Sequence, residues 1–167
     1  MKGEETLRAN DLAGGLIHLG HALSMIRDLP PYAADDTEEA SSLPPAVSAA
    51  CREDFYINVR LVADFLVKQP DRDITASDFL TAYHSPFASE LDDLWLLASR
   101  HVVHLSRDRA TASEPEDVSL EGLGRVAATC TDAIEHFVAA FHSNAPSPLP
   151  TRCDRLIVEG AVCSLLR

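Results

Sequence analysis

Basic residues are scarce in this chain: 14 Lys and Arg stand against 26 Asp and Glu, a formal net charge of -12 over 167 residues. An acidic surface repels phosphate backbones, so broad nucleic-acid binding is disfavoured. The deficit is uneven, because half of all Lys and Arg falls in residues 100–167, which leaves room for one local basic patch. Cysteine is sparse as well. Cys51, Cys130, Cys153 and Cys163 show no Cys-x-x-Cys spacing. With no secretory leader ahead of them, reduced thiols and a cytoplasmic location are expected. No apolar run approaches the ~20 residues that a membrane span requires, so no membrane association is expected. A Glu-x-x-His motif is missing, which removes the usual di-iron signature of helical bundles. So is a Gly-x-Ser-x-Gly elbow, and Gly122-Leu123-Gly124 is too short, with no Lys after it, to cradle phosphates. No metal and no cofactor is expected.

What is present is helical periodicity. Leu12, Leu16, Leu19, Leu23 and Ile26 recur at the 3.6-residue period and mark one amphipathic helix from Glu4 to about Leu29, ended by Pro30-Pro31. Residues 30–45 carry Pro, Ala, Ser and the cluster Asp35, Asp36, Glu38 and Glu39, and read as a mobile acidic loop. A second helix is expected from Pro45 to about Gln69, with Cys51, Phe55, Val59, Val62 and Leu66 on its apolar face. Thr75-Ala76-Ser77-Asp78 looks like the cap of a short helix reaching Tyr83. A third long helix opens at Ser85-Pro86 and carries Leu91, Leu94, Ala98, Val102 and Leu105 on one side. After a polar connection over 108–117, a fourth carries Leu123, Val126, Cys130, Ile134, Phe137 and Phe141 and ends near Asn144. Periodicity does not decide between helix and strand for residues 155–166. The expected architecture is all-α: an antiparallel four-helix bundle over 1–145, with a short helix before the third long one. A C-terminal appendage over 146–167 would pack on the bundle or on a partner.

Two charged stripes go beyond what core packing needs. On the second helix Glu53, Arg60 and Asp64 line up opposite the apolar face, with Ile57 and Val67 among them. On the third, Arg100, His104 and Arg107 lie at the edge of the apolar face, near Leu97. Facing each other, these stripes would form a partly buried charge network. Other constellations read as structural. His18 and His21 point away from the Leu stripe, towards solvent. His101 points into the apolar face, Asp132 and His136 suit an i,i+4 surface hydrogen bond, and Trp95 suits core or interface burial. Gly14-Gly15 marks close packing or fraying within the first helix.

The segment Arg52-Glu-Asp-Phe-Tyr-Ile-Asn-Val-Arg-Leu-Val-Ala-Asp-Phe-Leu, then Ile74-Thr-Ala-Ser-Asp-Phe-Leu, then His104-Leu-Ser-Arg-Asp-Arg, resembles a group of uncharacterised bacterial helical proteins. The likeness covers residues 50–109. That group is similar in turn to HEPN domains, four-helix bundles found in prokaryotic toxin and defence systems, many of them metal-independent RNases. The resemblance implies an Arg and a His sharing one helix face. The His would move a proton at the 2′-hydroxyl or the leaving oxygen, and the Arg would stabilise the charge on the pentacoordinate phosphate. Arg100 and His104 are the nearest match, with three residues between them, one short of that family's minimum, and Arg107 would supply a second cation.

Two functions from different classes follow. The first is a non-catalytic HEPN-like interaction module that binds a protein partner or itself as a homodimer, within a bacterial defence or toxin–antitoxin system. The second is a metal-independent endoribonuclease with His104 as general acid–base and Arg100 or Arg107 on the phosphate.

Overall fold

The computed structural model describes residues 9–68, 73–102, 118–144 and 152–165. Among these, helix is the only regular secondary structure. The helices are α1 (Ala9–Asp28), α2 (Pro30–Ala33), α3 (Glu38–Ser42), α4 (Pro45–Ala63), α5 (Ala88–Val102), α6 (Leu120–Asn144) and α7 (Arg152–Ser164). A π-helical turn over Asp64–Lys68 prolongs α4, and a single 3-10 turn spans Ala76–Asp78. No helix of the described residues is long and apolar enough to cross a membrane.

The apolar stripes read from periodicity are the surfaces that meet. All five stripe residues of α1 are buried, as are Phe55, Val59, Val62 and Leu66 of α4 and Leu123, Cys130, Ile134, Phe137 and Phe141 of α6. Together with Leu91 and Ala98 of α5 they form one continuous core, in which α4 touches α1, α2, α5 and α6. Phe137 sits at its centre: its ring lies 5.1 Å from Phe65, 6.0 Å from Phe79, 5.6 Å from Tyr83 and 6.5 Å from Phe141. Three of these contacts are near-perpendicular, the edge-to-face geometry that ring quadrupoles favour.

The C-terminal segment is helical, and α7 lies along α1 with Val158, Val162 and Leu165 in the same core. Their spacing of four and three residues is the helical signature, so the signal was in the sequence.

Residues 30–45 differ from the mobile loop expected. They form α2 and α3, and Pro30, Ala33, Ala34, Thr37 and Ala40 are buried. Thr37 caps α3 by accepting from the Ala40 amide at 3.2 Å, while its hydroxyl donates to the Pro31 carbonyl at 2.6 Å. Arg52 of α4 donates to the Ala33 carbonyl at 3.0 Å and pairs with Asp35. The Asp36 carboxylate accepts from the Leu120 amide at 2.7 Å, placing a negative charge at the positive end of α6. Acidic residues that suggested solvation are the anchors of the segment.

The short helix expected to reach Tyr83 is only the 3-10 turn, held by Asp78 accepting from the Thr75 amide at 2.7 Å. Ala82, at φ 55°, then turns the chain through the left-handed region.

The two adjacent glycines of α1 have different roles. A Cβ at Gly15 would meet Ile74 Cδ1 at 2.8 Å, whereas nothing lies within 4 Å of one at Gly14. Gly14→Ala should therefore stabilise by about 0.5–1 kcal/mol, the ordinary helix-propensity gain. Gly15→Ala should gain nothing or lose stability, because Ile74 must shift. Parallel urea melts of the two variants check the difference in sign.

Burial pushes the Cys130 thiol up to about 12. Its folded pKa lies above the unfolded value of about 8.5, so its contribution to stability is complete below that pH and is lost as pH rises towards 12. Unfolding free energy should thus fall by about 1.4 kcal/mol per pH unit from this one group in the alkaline range. Tyr83, also raised by burial and eased back by its hydrogen bond with Ser85, adds a loss of the same sign above its unfolded value of about 10. Denaturant melts at rising pH should show a shallower decline for Cys130→Ala than for the unaltered chain.

Candidate functional site

The expected meeting of two charged stripes has a different outcome. Arg60 and Asp64 form their i,i+4 pair at 3.6 Å, but what faces them from α5 is Trp95. The indole N–H donates to Asp64 Oδ1 at 2.7 Å. The Arg60 guanidinium lies 5.0 Å from the ring centroid, and Lys68 Nζ lies 4.8 Å from it. Lys68 also pairs with Asp92 of α5 at 2.7 Å. Two cations and the Asp64 carboxylate therefore clamp one half-buried indole, and Asp92 holds Lys68 in place. Lys68 ends the π-helical turn, four residues beyond Asp64 and eight beyond Arg60, on the same side of the helix.

The energetics favour a structural clamp. The charged hydrogen bond to the indole contributes on the order of 1.5–3 kcal/mol, and each cation–π contact about 0.5–2 kcal/mol according to its desolvation. The Arg60–Asp64 pair, partly exposed and separated by 3.6 Å, adds little by itself.

The other sequence candidates are dispersed. Glu53 is exposed on α4. Arg100 is exposed on α5, and no ion pair joins it to Glu53 or Asp64. Five residues separate Arg100 from Trp95, which carries it ~140° round the helix from the clamp. His104 and Arg107 lie outside the described residues. His18 and His21 are exposed on α1. Among the described residues no group of three His, Cys, Asp or Glu side chains converges to hold a metal.

His136 is partnered across the fold by Tyr83, whose hydroxyl lies 3.2 Å from Nδ1, so the local hydrogen bond expected with Asp132 gives way to a long-range one. His101 does enter the apolar side: its ring stacks on Tyr56 at 4.0 Å with an interplanar angle of 4°.

Two features were not visible as sites in the sequence. One is an open groove of about 430 Å³ beside the outer face of α4, floored by Leu19, Phe65 and Ile74 and edged by Ile57 and Leu61. Ile57 is 44% exposed and Leu61 39%. The other is a cleft of about 450 Å³ between α5 and α6, above Tyr56. Each gathers residues from separate helices, and one-dimensional periodicity cannot show which edges will be left apart.

No protein-family model, curated protein or solved structure matches the chain significantly.

Proposed function

We propose that this chain is a non-catalytic helical interaction module of HEPN-like type that associates with a second copy of itself through the outer face of α4. The arrangement of the long helices supports the four-helix reading, since α1 contacts α4, α4 contacts α5, α5 contacts α6, and α6 returns to α1. One observation carries the functional part. The outer face of α4 shows two aliphatic side chains, Ile57 and Leu61, to solvent beside an apolar groove, while Arg60 and Asp64 around them are engaged with Trp95. Of the six residues that suggested chemistry, three stand as a spent structural pair and an isolated carboxylate. Apolar residues left outside a formed core favour burial against another surface.

The ribonuclease reading retains one favourable observation, the exposed and ion-pair-free position of Arg100 among the described residues. Incubating the purified protein with structured RNA in EDTA separates the two. The module reading expects intact RNA, and the same result for His104→Ala and Arg100→Ala. Cleavage that disappears in His104→Ala, with the fold retained, would overturn it in favour of the nuclease.

A further inference from the structure

The cleft between α5 and α6 has a floor and a rim of different chemistry. Leu94 and Leu97 of α5 and Val126 of α6 supply apolar walls, and Tyr56 of α4 closes the bottom. That floor is rigid, because Tyr56 is buried to 1% exposure and stacked on His101. Glu90 and Asp93 stand three residues apart on the α5 rim, and both line the cleft. Neither is joined to a basic side chain among the described residues. The cation across the opening, Arg125, is engaged with Glu121 one turn back on its own helix, at 2.8 Å. The mouth is thus negative above an apolar floor, on a molecule that is itself strongly acidic. A volume of about 450 Å³ lies in the range of small-molecule sites, roughly 300–1,000 Å³.

We propose that this cleft binds an organic cation, an ammonium group carried on an apolar or aromatic body. The body would occupy the space between Leu94, Leu97 and Val126, and the ammonium would lie between the Glu90 and Asp93 carboxylates. An anion of the same shape meets the Glu90 and Asp93 carboxylates, which no described basic side chain neutralises, and is rejected, so the site selects by charge as well as by shape. The inference is independent of self-association, which uses Ile57 and Leu61, residues that do not line this cleft.

The test uses 4-phenylbutylamine as probe and 4-phenylbutyrate as its charge-reversed control, with calorimetry and amide chemical-shift mapping on the full chain. The amine should bind and shift amides of residues lining the cleft, and the carboxylate should not. Glu90→Gln/Asp93→Asn, two changes at exposed positions, should weaken the amine about tenfold or more. Val126→Trp, which fills the cleft and leaves the charge unchanged, should abolish binding. The proposal is overturned if the amine does not bind, if both variants bind it unchanged, or if the butyrate binds equally. It is also overturned if only a Lys-rich amphipathic peptide occupies the cleft, which would make the site a protein groove.

Discussion

Replacing Phe137 with alanine is expected to lower the unfolding free energy by about 3–5 kcal/mol, the range for deleting a buried aromatic ring. Phe137 is fully buried, and its ring joins Phe65 of the π-helical turn, Phe79, Tyr83 and its own helix neighbour Phe141. Its removal leaves a void bordered by four rings that belong to three separate parts of the chain. Those rings cannot all move inward at once, because Tyr83 is tied to His136 and Phe65 lies beside the Asp64–Trp95 clamp. Incomplete collapse adds a cavity cost to the lost burial. For a chain of this size the melting temperature should fall by roughly 6–20 °C. A loss under about 1 kcal/mol in calorimetric or urea unfolding would show that the aromatic cluster is not the centre of the core.

The second large effect is expected on assembly and not on folding. Ile57→Asp/Leu61→Asp places two carboxylates on the outer face of α4, where both wild-type side chains are about 40% exposed. Exposure limits the cost to the monomer. In an interface the same charges would be desolvated without partners, beside Glu53 and Asp64, which are already acidic. A penalty of about 3 kcal/mol or more corresponds to at least a hundredfold weaker association. The variant should therefore sediment as a monomer at concentrations where the wild type does not, with its helical circular dichroism retained. Unfolding of the variant would be distinguished by loss of that signal, and Leu61→Lys offers a milder second reading of the same face.

How much of this was legible in the sequence depends on whether a feature lies on one helix or between two. α6 was readable almost residue by residue, since Leu123, Cys130, Ile134, Phe137 and Phe141 keep strict helical spacing and all are buried. The same holds for the Leu stripe of α1. Residues 30–45 look like a loop in the sequence because small side chains such as Ala33, Ala34 and Ala40 are buried without an apolar signature, while Asp35 and Asp36 look like solvent-facing charge. The clamp was half visible. Arg60 and Asp64 were evident as a pair on one helix, but the facing residue depends on the azimuth of α5, and it is Trp95, not Arg100, that turns inward. Lys68 follows Asp64 by four residues on the same helix face, but its partners Trp95 and Asp92 lie on α5, and spacing along one helix does not show them. The bond between Tyr83 and His136 spans 53 residues, and no local pattern announces it.

Self-association through the outer face of α4 is the central claim. Sedimentation equilibrium of the wild-type protein over a range of concentrations tests it most directly. The expected result is a reversible rise in mass from 18.1 kDa towards twice that value, absent in Ile57→Asp/Leu61→Asp. A mass that stays at 18.1 kDa at every concentration, or a rise unchanged by the double variant, contradicts it.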